Sequence, residues 1–148
     1  MALDPTPYVR EAVVALLKAA AAPRPVPSTR VYPQETPPDP VWPFVKYGLP
    51  NSTPFVASCL DGANVDFSVH AFAASDATGG GEEKAGAILR WIVAVLSSAS
   101  PVNMQDVTTC PFPATLFFEW TRSQVFRDSP TSSSAFHGVA SFTATVAS

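Results

Sequence analysis

The chain has 148 residues, a length that suits one domain spanning 1–148 with a core needing neither disulfides nor metals. Nine basic and twelve acidic residues leave a net charge of −3, and the basic ones are scattered singly from Arg10 to Arg127, which speaks against the basic patch of a nucleic-acid binder. Charged residues are 14% of the chain, against roughly a quarter in typical domains, so the surface has few charges to hold neighbours apart and leans towards contact.

Asp4-Pro5-Thr6-Pro7 opens the first element. Thr6 is the expected cap and Pro7 the expected first helical residue. Val9, Val13, Leu16, Leu17 and Ala20 then recur at helical spacing until Pro23. The apolar run from Ala12 to Leu17 does not read as a signal peptide, because Asp4, Arg10 and Glu11 precede it and Lys18 interrupts it. The other long apolar run, Ala85 to Val95, contains Arg90 and is too short to span a bilayer. No membrane partner is expected.

Residues 23–54 hold ten of the sixteen prolines. Proline cannot donate to a ladder, so a central strand is not expected here. Short extended pieces fit at Thr29–Tyr32 and Trp42–Tyr47. The aromatics Tyr32, Trp42, Phe44 and Tyr47 carry too much apolar area for a disordered linker, and an ordered, irregular wrap is expected. The triplet Asn51-Ser52-Thr53 matches a glycosylation acceptor but, without export, reads only as a turn.

Val65, Phe67, Val69 and Ala71 alternate with Asp66, Ser68 and His70, the period of a strand with one buried face. Asp61-Gly62 reads as a turn before it. The expected partner is the Tyr47 strand, with residues 48–60 as a long mobile connection. Ser75 to Gly81 reads as a loop, and Glu82-Glu83 suit a helix N-terminus. Ala85, Ile88, Leu89, Ile92, Val95, Leu96 and Ala99 then form the clearest helical stripe in the chain, ended by Pro101. Gly79-Gly80-Gly81 is no phosphate loop. It lacks the GxxxxGK[ST] spacing, and two glutamates follow where phosphate would sit.

In the last third, Leu116, Phe118 and Trp120 share one strand face, with Glu119 and Thr121 on the other. Ala140, Phe142, Ala144 and Val146 share a face of the final strand. Residues 128–134 are polar and read as a loop too long for a tight hairpin. The expected fold is α+β: a mostly antiparallel β-sheet with two main helices packed on one face, in a single domain.

Chemistry-bearing groups are sparse. Cys59 and Cys110 form no CxxC or Cys/His ligand pattern and read as reduced thiols of a cytosolic protein. A Cys–His nucleophile pair oriented by Asp66 or Asp128 is conceivable. His70, however, occupies a polar-face strand position, where a surface histidine is the economical account. No GxSxG elbow, HExxH helix or paired-carboxylate motif is present, so no catalytic residue, metal ligand or cofactor is assigned. Contact residues are expected instead. Trp42 lies in the proline-rich wrap and Trp91 lies off the helix stripe, and tryptophan anchors interfaces well. Asn51, Phe55, Asp76, Asp128 and Ser132 fall in the segments read as adhesive loops.

The succession of a short N-terminal helix, Arg30-Val31-Tyr32-Pro33, Pro43-Phe44-Val45, the Val65–Phe72 strand, a helix after a glycine-rich loop and two closing strands resembles the tail terminator (tail completion) family of long-tailed bacteriophages and related gene transfer agents. The resemblance spans nearly the whole chain and rests on element order and short motifs. It implies a homo-oligomeric ring, usually hexameric, seated on the last ring of the major tail tube protein. Such a ring stops tube polymerisation and offers a surface to head-closure and neck proteins. It implies a virion protein of the tail and neck, assembled in the bacterial host cytoplasm, with no catalytic set. An acidic ring suits a channel that DNA crosses without specific binding, since like charge opposes adsorption of phosphates. The alternatives are another neck component, such as a head–tail connector, and a small ligand-binding or enzymatic α+β domain using His70 and a cysteine.

Overall fold

A computed structural model describes residues 4–48, 51–57, 60–75, 80–129 and 132–147. The first helix, α1, is Thr6–Ala19 and buries Val9, Ala12, Val13 and Leu17. Its start differs from the expectation. The Asp4 carboxylate, not the Thr6 side chain, accepts the free Thr6 backbone N–H at 3.0 Å and also the Thr6 hydroxyl. Pro5 takes the cap position itself. At the other end Arg24 turns back on the helix. Its Nη1 donates to the carbonyls of Lys18 (2.9 Å) and Ala20 (2.8 Å), and its Nε to that of Val26 (3.0 Å). Helix C-termini leave carbonyls unpaired, and a cation is a favourable partner there.

After a 3₁₀ turn at Ser28–Arg30 come β1 (Val31–Tyr32) and β2 (Phe44–Tyr47), then β3 (Asn51–Ala57) and β4 (Leu60–Ala74). Helix α2 is Gly81–Ala99. It is followed by β5 (Val102–Asn103), a one-turn helix α3 (Met104–Val107), β6 (Thr115–Ser129) and β7 (Ser132–Ala147). The sheet order is β1-β2-β4-β7-β6-β5, with β3 also on β4. Only β1–β2 is parallel among the described strands. The expected pairing of the Tyr47 strand with the Val65 strand is present, Tyr47 lying opposite Val69.

Two segments read as loops are strands. Residues 51–57 form β3, paired from Asn51↔Asp66 to Ala57↔Leu60, so Asp61-Gly62 lies within β4 and is not a turn. In the same way β6 and β7 continue to Ser129↔Ser132, a far tighter hairpin than the polar sequence 128–134 suggested. Ladder bonds join backbone groups, so a strand needs no apolar side chains once its neighbour is registered.

Val65, Phe67, Val69, Ala71 and Ala73 of β4 and Ala140, Phe142, Ala144 and Val146 of β7 supply the inner sheet face. On it lie Ala85, Ile88, Leu89, Ile92 and Leu96 of α2, as the stripe predicted. A Cβ on Gly138 of β7 would come within 2.9 Å of Leu89, so the missing side chain lets α2 settle against the strand. Helix α1 packs beside α2 and over β1 and β2, placing both main helices on one face.

Truncating this seam has a calculable effect. Leu96→Ala should lower unfolding stability by about 2–5 kcal/mol, read from the denaturant midpoint. Tyr47 should behave differently. Its ring stacks on Phe67 at 5.2 Å, but its buried hydroxyl meets no hydrogen-bond partner among the described residues, and burial raises its pKa strongly against an opposing pull from Arg10. Tyr47→Phe removes an unsatisfied group, so thermal unfolding should show stability unchanged or raised by about 1 kcal/mol.

Candidate functional site

On the face away from the helices the alternate positions of the same strands meet. Thr145 donates to Asn64 Oδ1 at 3.0 Å and Thr143 to Asp66 Oδ1 at 2.7 Å, which makes one half of this face polar. The other half is a row of rings. Tyr32 of β1 meets Phe44 of β2 edge-on at 6.0 Å, and Phe44 stacks on Phe72 of β4 at 4.6 Å. Phe72 stacks on His137 of β7 at 4.3 Å, and His137 tilts against Phe126 of β6 at 4.8 Å. The row crosses five strands because the register sets Phe44, Phe72, His137 and Phe126 opposite one another. Trp42 caps it, edge-on to Phe44 (5.3 Å) and Phe72 (5.9 Å), while its carbonyl accepts from Arg30 Nη1 at 3.3 Å.

Beside the row, His70 Nδ1 and His137 Nε2 lie 2.6 Å apart, and His70 Nε2 lies 2.8 Å from Ser68 Oγ. One proton per ring satisfies both contacts. Burial, then His137 and Lys46, push the His70 pKa down from 6.5 to about 4. Among the described residues no thiol joins this pair. Cys110 is buried elsewhere, its Sγ donating to the Phe112 carbonyl at 3.3 Å, and Cys59 lies outside the described residues. Among the described residues no group of three or more His, Cys, Asp or Glu side chains could hold a metal ion.

The second surface is the β6 side of the sheet. Strand β5 covers only Thr115 and Leu116, and Ser100 Oγ accepts the Phe118 N–H at 3.2 Å. Beyond that point no described strand lies against the outer edge of β6. A groove of about 420 Å³ runs between this strand and α2, lined by Leu89, Val93 and Val125 with Arg90, Trp120 and Gln124. Trp120 is 50% exposed, its indole N–H donating to Ser123 Oγ at 2.9 Å. Just past it the register skips from Trp120↔Phe142 to Arg122↔Ser141, a bulge at Thr121. On the opposite face of β6, Phe117 (44%) and Phe126 (41%) are also exposed.

The expected contact residues fall in different places. Trp42 is half-buried in the ring row, and Trp91 is half-buried under the Arg24 guanidinium, 5.2 Å from its ring centre. Asn51 and Phe55 are positions in β3, and Asp128 and Ser132 are positions at the β6–β7 tip. Asp76 lies outside the described residues. Phe117, Trp120 and Phe126 were not singled out from sequence. The available signal was apolar residues on both faces of one strand, since Phe117 shares parity with Glu119 and not with Trp120.

The histidine pair makes a pH prediction. The unfolded chain takes up a proton at His70 near pH 6.5, whereas the folded chain resists until about pH 4, so stability should fall as pH drops through that window. Because His70 is only half-buried, solvent screens part of the effect. Thermal melts of His70→Gln should show a shallower loss across the same window than the parent chain.

Residues 11–147 match the family model of tail completion protein gp17. None of the curated proteins matches the sequence. In fold the chain is similar to a chain of a solved structure described as the virion of a native gene transfer agent (GTA) particle, with a TM-score of 0.69 and 21% identity over 95% of each chain. With all but its first ten residues and its last one inside the matched span, the chain belongs to the tail completion protein gp17 family, a structural rather than an enzymatic family.

Proposed function

We propose that this tail completion protein forms a closed ring, expected to be hexameric, at the head-proximal end of the tail tube. There it ends tube polymerisation and joins the tail to the neck. The family match across residues 11–147 is the observation that carries this reading. The similarity in fold to a chain of a gene transfer agent virion supports it. So does the arrangement of the sheet, whose two edges left open among the described strands lie on opposite sides and favour head-to-tail association over a two-fold dimer. A head-to-tail contact makes a ring when its rotation closes and an open filament when it does not, and a terminator must close.

In this reading residues 1–148 act as one unit. Its partners are further copies of itself, the major tail tube protein and the head-closure or neck proteins, with DNA passing through unbound. The net charge of −3 suits such a channel. Trp42, Trp91, Asn51, Phe55, Asp76, Asp128 and Ser132 are the proposed contact residues, because tryptophans and adaptable polar segments serve interfaces well.

Assembly without this gene product tests the reading directly. Electron microscopy of the resulting particles should show tails of uncontrolled length, or normal-looking tails that fail to join heads. Fully joined tails of normal length would defeat it.

A further inference from the structure

Three of the four large hydrophobic side chains exposed among the described residues lie on one strand, β6: Phe117, Trp120 and Phe126. They occupy both of its faces, so no helix laid on one side of the sheet could cover them all. A strand added along the edge could, because its own side chains alternate between the same two faces. The backbone is ready for such an addition. Past Phe118 the outer edge of β6 has no described strand beside it. The bulge at Thr121 and the charges of Glu119 and Arg122 guard this edge against indiscriminate pairing, so the strand that joins it must suit both.

We infer that the outer edge of β6 pairs with the outer edge of β3 from a second copy of this chain. The inference rests on the ring reading above and names the contact that builds the ring. Strand β3 is the occupant for three reasons. It pairs only with β4, so its other edge is open among the described strands. Its sequence, Asn51-Ser52-Thr53-Pro54-Phe55-Val56-Ala57, carries no charge, whereas guarded edges usually carry lysine or another inward charge. Charge also permits the pairing: with no charge of its own, β3 brings none of like sign to Arg122 of β6 or to Arg90 of α2 in the adjoining groove, whereas a second β6 edge would.

The geometry also selects against simpler pairings. Pro54 has no N–H to give and interrupts any ladder on this edge once, whereas two β3 edges would carry the interruption twice. Two β6 edges would likewise bring the Thr121 bulge into both strands of one ladder. Joining β6 of one copy to β3 of the next leaves β3 of the first and β6 of the second free, so the contact repeats around a ring.

Cross-linking within assembling particles tests this. In a chain carrying Cys59→Ala and Cys110→Ala, Thr53→Cys is placed on one population and Gln124→Cys on another, and a short bismaleimide is added. Covalent dimers should form only when both populations are present. A chain bearing both substitutions should give a ladder of multimers ending at the ring number. Adding Trp120→Lys should reduce cross-linked product on the order of tenfold. Should that variant fail to fold, Ser52→Lys on the opposite edge should give the same loss. Dimers from Gln124→Cys alone, or its attachment to a different particle protein, would overturn the inference. Particles with a visible ring of this protein but no Thr53–Gln124 product would overturn it and leave the ring reading standing. Particles holding only isolated copies would remove both.

Discussion

The register of β4 against β7 is the constraint on which the rest of the molecule depends. The ladder runs from Gly62↔Ala147 to Ala74↔Ala135, and β4 is occupied on both edges, by β2 and β3 on one and β7 on the other. With a side-chain period of two, a slip of one residue would bring His70, Ser68 and Asp66 under α2 and send Phe67 and Val69 to the opposite face. Burying those polar groups without partners costs several times what one packing contact gains. One register therefore fixes the helical core, the cross-strand threonine bonds and the row of rings together.

Only one face of the sheet carries helices, and the other solves its exposure locally. Each ring pair adds about 0.5–1.5 kcal/mol beyond the area it buries. A row spanning five strands thus does some of the work of a second layer while staying thin. The same economy fails at β6. Strand β6 is the outer strand on this side, and along its helix-side face burial falls from Leu116, fully buried, through Phe118, half-buried, to Trp120, then recovers at Val125, which meets α2 across the groove. The exposed tryptophan stands where β5 no longer flanks the strand.

Much of this was legible in the sequence. The α2 stripe, the inner positions of β4 and β7, the pairing of the Tyr47 strand and the ordered wrap all follow from periodicity and aromatic content. The segments that were not legible lack a one-sided pattern. Residues 51–57 contain a proline and no alternation, and the strand ends at 128–129 and 132–134 are all polar, so their strand state is imposed by the neighbours they pair with. Strand β5 and helix α3 are too short for any period to show, although Asn103 caps α3 by accepting the Gln105 N–H at 3.1 Å. Alternation likewise placed Trp120 on one face with Leu116 and Phe118 but could not tell where β6 becomes the outermost strand. The His70–His137 pair joins residues 67 apart in sequence, so no local motif announces it; Arg24 reaches carbonyls two to six residues away, but only the turn after α1 brings it round to them.

The join between β2 and β3 has a consequence for how this chain can change. From Tyr47 to Asn51 the chain advances four residues, while their partners Val69 and Asp66 on β4 are three apart. The extra residue reverses parity, so odd-numbered positions of β2 and even-numbered positions of β3 share a side of the sheet. The register of β3 is held by its own ladder to β4, from Asn51↔Asp66 to Ala57↔Leu60, so the join takes up the odd residue and a length change confined to it leaves the sides of β3 unaltered. An insertion inside β3 is different, because it sends every position beyond it to the other side. Descendants of this sequence should therefore accumulate length changes at 48–50 and not within 51–57.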